Sequence, residues 1–155
     1  MRTLWLVPLL AICAAPLACG AGHADHIAIA VLPFGVSHGS KAPPVDVASV
    51  IRADLAWGDR FTQLDMADLP SLPTHLSDVH FEDWEQIPVD YVVIGRVARV
   101  HDGGHEVKFR LLDVHTQEAL DVMTVPSAPH ALGYTAHEIA RRIEERLGEE
   151  RGFGV

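Results

Sequence analysis

Cysteine is nearly missing from this 155-residue chain: there are two, Cys13 and Cys19, and none after them. The remainder therefore has no disulfide framework, no Cys-x-x-Cys motif and no thiol nucleophile, and it must fold on its hydrophobic core alone. Basic residues are also scarce. Lys and Arg number 12 against 21 Asp and Glu, a balance of 12 − 21 = −9. Such an excess of negative charge repels phosphate backbones and anionic lipid at range, which argues against nucleic-acid and acidic-membrane partners. Aromatic residues make up only 6%. The His-Glu-x-x-His, Gly-x-Gly-x-x-Gly and Gly-Lys-Ser spellings do not occur, which removes common local signatures of zinc hydrolases, dinucleotide enzymes and phosphate cradles. After residue 21 no apolar run approaches the ~20 residues that span a bilayer.

What is present begins with a leader. Arg2 supplies a positive charge, Leu4 to Leu17 is almost unbroken apolar sequence, and Ala18-Cys19-Gly20-Ala21-Gly22 offers small residues for cleavage. This pattern predicts a secretory signal peptide over residues 1–21 and a mature domain over 22–155. Pro8 and Pro16 interrupt the apolar run, which favours export over anchoring. Removing Arg2 leaves a mature balance of 11 − 21 = −10. Cys19 raises one alternative, acylation to a membrane-anchored lipoprotein. Ala18 fits that consensus, whereas Pro16 does not.

The mature part, at 48% hydrophobic and 21% charged over the whole chain, has the composition of one folded domain. Ile27 to Leu32 reads as a strand buried on both faces and ended by Pro33, followed by a loop from Phe34 to Ala42. Pro43-Pro44 opens a helix in which Val47, Val50, Ile51 and Leu55 recur at helical spacing until Gly58. Phe61 to Leu64 is a short strand. Pro70, Pro73 and Pro88 then break up residues 65–88, where Phe81 to Glu85 suits one or two helical turns. Val89 to Val100 is a strand, and Asp102-Gly103-Gly104 turns it into a second in which Val107, Phe109 and Leu111 alternate with Glu106, Lys108 and Arg110. Leu120 to Val125 completes an antiparallel meander ended by Pro126 and Pro129. The last element, Leu132 to Leu147, places Leu132, Ile139, Ile143 and Leu147 on one face, with Gly148 positioned as a C-cap. This order predicts an α/β (α+β sandwich) domain: a mixed sheet of about five strands with two or three helices packed on it.

Ten histidines raise metal or acid–base chemistry, and a His-rich metal-binding or hydrolytic protein is the alternative class. His23 and His26 flank Asp25 beside the expected cleavage site, a weakly specific pair. His101 and His105 flank the Asp102-Gly103-Gly104 turn, and two ligands fall short of the three a catalytic zinc usually takes. His137-Glu138 has no second histidine four residues on. None of the serines has a recognisable strand–turn–helix setting. No catalytic residue, metal site or cofactor is expected.

Ile29-Ala30-Val31-Leu32-Pro33-Phe34, Val50-Ile51-Arg52-Ala53-Asp54-Leu55, Arg60-Phe61-Thr62-Gln63-Leu64-Asp65, Phe81-Glu82-Asp83-Trp84, Val89-Asp90-Tyr91-Val92-Val93-Ile94-Gly95-Arg96-Val97, Phe109-Arg110-Leu111-Leu112-Asp113-Val114 and Glu150-Arg151-Gly152-Phe153 occur in that order. Together they resemble the TolB N-terminal domain, from about Ile27 to Phe153. The resemblance implies a fold similar to the anticodon-binding domain of some tRNA synthetases. It also implies a non-catalytic interaction module in the periplasm, within the Tol-Pal system that links the envelope layers of Gram-negative bacteria during cell division. In that family a C-terminal β-propeller binds Pal. This chain ends at Val155, where the propeller would begin, so the resemblance implies a stand-alone form, with a truncated TolB as the alternative, and leaves Pal binding unsupported. The family's extreme N-terminus binds TolA, which makes His23, Ala24, Asp25 and His26 the partner-binding candidates for a TolA-like contact.

Overall fold

The computed structural model describes residues 26–37 and 41–150. Its first strand, β1 (Ile27–Val31), is followed by a two-residue strand, β2 (Gly35–Val36), inside the segment expected to be all loop. Both run parallel to one long strand, β4 (Tyr91–Arg99). Ala30 pairs with Val92, and Gly35 with Arg96. Pro33 cannot donate to a ladder, so the strand breaks there and resumes two residues later. Only the neighbouring β4 reveals the two pieces as one interrupted strand.

The first helix, α1 (Val47–Ala56), starts later than the prolines suggest. Asp46 is its N-cap: the carboxylate accepts the Ser49 N–H at 3.2 Å and the Ser49 hydroxyl at 2.6 Å. Pro43 and Pro44 therefore precede the cap. α1 returns the chain to β3 (Phe61–Gln63), parallel to β1. Burial raises the Asp46 carboxyl, but the Ser49 side-chain and backbone bonds and the Arg52 charge outweigh it and hold it below its ordinary value. The capping contribution is thus complete above the unfolded carboxylate value of ~3.9 and is lost as pH falls through the lower folded value. Asp46→Ala is expected to cost about 1 kcal/mol at neutral pH. In urea titrations the gap between variant and parent should close in acid; a gap that persists there contradicts the charged cap.

β3 and β4 lie on opposite sides of β1 in a sheet that also holds β5 (His105–Asp113) and β6 (Ala119–Ser127), ordered β3-β1-β4-β5-β6. Handedness then determines the faces. The β1–α1–β3 crossover covers one face, and a right-handed return from β3 to β4 must cross the other. Residues 64–90 make that return, with the single-turn helix α2 (Phe81–Trp84) inside it. Trp84 is fully buried against Ala30, Leu32, Val92, Ile94 and Leu112, forming the smaller core. The larger core lies on the opposite face, where α1 and the final helix α3 (Leu132–Glu150) cover Ile29, Val93, Phe109 and Leu111.

β5 and β6 complete the antiparallel meander. The expected alternation in β5 is present, with Val107, Phe109 and Leu111 buried. Leu112 departs from it because Trp84 covers the second face there. Two chain-end expectations need correction. Pro126 lies within β6 rather than ending it. α3 continues through Gly148 to Glu150, where Arg146 pairs with Glu150 at 3.3 Å and Glu149 at 3.8 Å. These i,i+4 and i,i+3 pairs carry the helix past a glycine that elsewhere would cap it.

Candidate functional site

β6 is the long edge of the sheet, and its register determines what that edge presents. Val100 donates its N–H to Gly104 at 3.0 Å, so pairs of this parity are the hydrogen-bonded ones between β4 and β5. Glu106, Lys108 and Arg110 therefore bond toward β4, while Val107, Phe109 and Leu111 bond toward β6. Their β6 partners are Val125, Met123 and Asp121. The intervening residues Val122, Thr124 and Pro126 point their backbone groups outward. Pro126 is tolerated because its missing N–H falls on the edge side. Among the described residues β6 pairs with β5 alone.

Beneath this edge a groove of about 220 Å³ runs between β6 and α3. Phe109, Met123, Val125 and Ile139 form its apolar wall; Arg141 and Glu145 lie on the rim. The rim charges are matched internally. Arg141 bonds Glu138 at 2.9 Å and also pairs with Glu145, and Arg142 donates to Asp121 at 2.5 Å. Those carboxylates hold both guanidiniums above their ordinary values, with the hydrogen bonds as the main cause. At the strand's other end Arg146 donates to the Leu120 carbonyl at 3.2 Å, closing the edge there. The open stretch is thus Val122 to Pro126, with Val122 57% exposed. An extended segment added here would gain main-chain bonds and place alternate side chains into the groove.

Of the partner candidates, Cys19, His23, Ala24 and Asp25 lie outside the described residues, and His26 is placed. His26 is exposed just before β1 and lines a mostly apolar cavity of about 490 Å³ with Thr62, Leu64, Ile87 and Pro88. The aromatics diverge. Trp84 belongs to the core, whereas Trp57 is 94% and Tyr134 69% exposed. Trp57 directly follows α1, and Tyr134 lies in the first turn of α3.

The histidines are dispersed. His137 Nδ1 lies 2.6 Å from Asp54 and ties α3 to α1, His115 Nε2 lies 3.2 Å from Asp90, and His75 Nε2 lies 2.5 Å from Arg96. His105 faces Arg99 across the ladder rather than His101. Among the described residues no three His, Cys, Asp or Glu side chains are grouped to hold a metal. Sequence reasoning passed over one spelling, Gly35-Val36-Ser37-His38-Gly39, which matches the Gly-x-Ser-x-Gly nucleophile pattern. That pattern needs a sharp strand-to-helix turn. Here Ser37 continues the β2 ladder, donating its N–H to Val97 at 3.1 Å, and α1 starts only at Val47. No helix among the described residues is long and apolar enough to cross a membrane.

The profile of the TolB amino-terminal domain matches residues 17–120. The chain belongs to this family. Among curated relatives, the Tol-Pal system protein TolB of Nitrosococcus oceani is 38% identical over 125 residues, covering 81% of this chain and 28% of that protein. The Tol-Pal system protein TolB of Xylella fastidiosa strain M12 is 32% identical over 124 residues, covering 80% and 28%. The chain therefore spans a little over a quarter of the length of these relatives. The TolB crystal structure from Acinetobacter baumannii superposes with a TM-score of 0.66 at 24% identity, over 79% of this chain and 28% of that one. The LpoB C-terminal domain from Salmonella enterica superposes at 0.54 with 13% identity, over 68% and 85%. These two likenesses show the TolB-type fold. Helix α3, which forms one wall of the groove, lies beyond the residues that the family profile matches.

Proposed function

We propose that this TolB-type domain is a non-catalytic protein-interaction module of the periplasm, exported by the leader over residues 1–21, and that it serves the Tol-Pal system by accepting an extended segment of an envelope partner at the β6 edge. The observation that carries the reading is the open Val122–Pro126 edge above the Phe109, Met123, Val125 and Ile139 groove. Family membership supplies the Tol-Pal setting, since the longer relatives are named as proteins of that system. A TolA-like contact through His23 to His26 belongs to the same reading.

Thr124 provides a selective test. Its N–H points outward, so Thr124→Pro removes an edge donor while sparing the bonds to β5, as Pro126 already does two residues away. In cells expressing the tagged protein from the chromosome, cross-linking should recover Tol-Pal components with the parent chain, and mass spectrometry should find a mature N-terminus near Ala21. Thr124→Pro should reduce that recovery about tenfold, the loss of roughly one good hydrogen bond and its neighbours, with the melting temperature preserved. Undiminished recovery with the variant refutes edge docking. An absence of Tol-Pal components from the parent capture refutes the wider role.

A further inference from the structure

Where the helix-side core ends, the register replaces apolar residues with basic and polar ones. The cross-strand rows Gly95/Phe109/Met123 and Val97/Val107/Val125 are succeeded by Arg99/His105/Ser127. This last row continues the same face, beyond the part that α1 and α3 cover. There Arg99 and His105 line a cavity of about 470 Å³ together with Lys41 and Pro44 ahead of α1, and Pro129 and His130 ahead of α3.

We infer that this cavity is a binding site for a small polyanion bearing phosphate or carboxylate groups. Every ionisable side chain lining it is basic: Lys41, Arg99, His105 and His130. The protein as a whole carries a formal charge of −9, so a cavity without acids runs against its composition. Asp102 and Glu106, the carboxylates nearest in sequence, do not line it: Asp102 accepts the Gly104 N–H at 3.0 Å, and Glu106 pairs with Lys108 at 3.1 Å. Among the described residues Lys41, Arg99 and His130 have no ion pair, as is also true of Arg96 and Arg110 outside the cavity, whereas Arg52, Lys108, Arg141, Arg142 and Arg146 are paired. His105 is only 7% exposed, and its Nδ1 is buried without a hydrogen-bond partner.

That atom lies beneath the cavity surface, so the charges of Lys41 and Arg99 carry the site. Convergent cations in a concavity raise the local concentration of anions. α3 begins two residues after His130, which places the positive end of its dipole on the same side. Arg99 is the main anchor, since its planar fork matches a phosphate or carboxylate in bidentate fashion. Lys41 serves as a second point charge.

Titrating the purified protein with inorganic phosphate and, separately, with citrate at constant ionic strength tests the site, with histidine ring and backbone resonances as readout. At least one probe should give a saturating one-to-one response that moves His105 and Gly103. Phosphate alone would point to a phosphorylated ligand, citrate alone to a polycarboxylate. Arg99→Gln and Lys41→Gln should each weaken binding about tenfold with unchanged melting temperature, because both side chains are exposed and unpaired. Arg110→Gln, which removes the same charge from the opposite face, should leave binding intact. Three outcomes overturn the site: no saturable response to either probe, shifts centred elsewhere, or equal weakening by Arg110→Gln.

Discussion

Trp84→Ala is expected to lower the unfolding free energy by about 3–5 kcal/mol, a large share of the ~5–15 kcal/mol that holds a domain folded. Trp84 is the largest fully buried side chain and the anchor by which residues 64–90 cover the second face of the sheet. That segment has little regular structure of its own, only α2 and two short turns, so its position depends on side-chain burial. Removing the indole would leave Leu32, Ile94 and Leu112 beside a void. It would also loosen a segment with few backbone bonds to resist. Trp84→Phe separates packing from polarity. The indole Nε1 is buried without a partner, so losing it recovers part of the packing cost, and this variant should lose less than half as much stability. Guanidinium unfolding of the three proteins measures both differences. A Trp84→Ala loss below about 1 kcal/mol would mean that the segment is held by something other than this anchor.

Gly95→Val is expected to have the next largest effect on stability, at or beyond the upper end of the ~1–3 kcal/mol typical of overpacking. Gly95 sits mid-strand in β4 on the helix side, where its neighbours Val93 and Val97 are core residues. A Cβ placed there would run into the Phe34 ring and lie 2.7 Å from the Lys108 carbonyl. The ring could move, but the carbonyl belongs to the β4–β5 ladder and has nowhere to go. Phe34→Ala should therefore rescue Gly95→Val only in part. Full rescue in a double-mutant thermal melt would show that the backbone contact costs nothing, contrary to this account. Phe34 also follows Pro33 between β1 and β2, so the strand break and the glycine fit together: the interrupted chain supplies a ring, and the glycine leaves room for it.

Where burial depends on local periodicity, the sequence was readable. Val107, Phe109 and Leu111 alternate with charged residues because one face of β5 meets α3 and the other meets water, and that pattern is visible in the order of residues alone. The α3 stripe of Leu132, Ile139, Ile143 and Leu147 is legible for the same reason, and all four are buried. Most positions that escaped this reading depend on contacts distant in sequence. Leu112 and Pro126 depend on what lies across the sheet: the covering segment that carries Trp84, far earlier in the chain, for the first, open solvent at an edge for the second. β2 is two residues long, too short to carry a period, and is a strand only because β4 runs alongside. Gly148 has the identity of a cap but not the role, since neighbouring ion pairs continue the helix.

The sequence by itself determined the class of the domain, an acidic, cysteine-poor mixed sheet with helices on it, together with its family, because strand and helix periods and ordered short motifs are local properties of the chain. Tertiary structure decided which strand ends the sheet, and so where a partner strand can be added. It also decided which row of side chains follows the helix-side core, and so that Arg99 and His105 stand together. Both decisions follow from register and handedness, which are relations between segments far apart in the chain and which no window of residues contains.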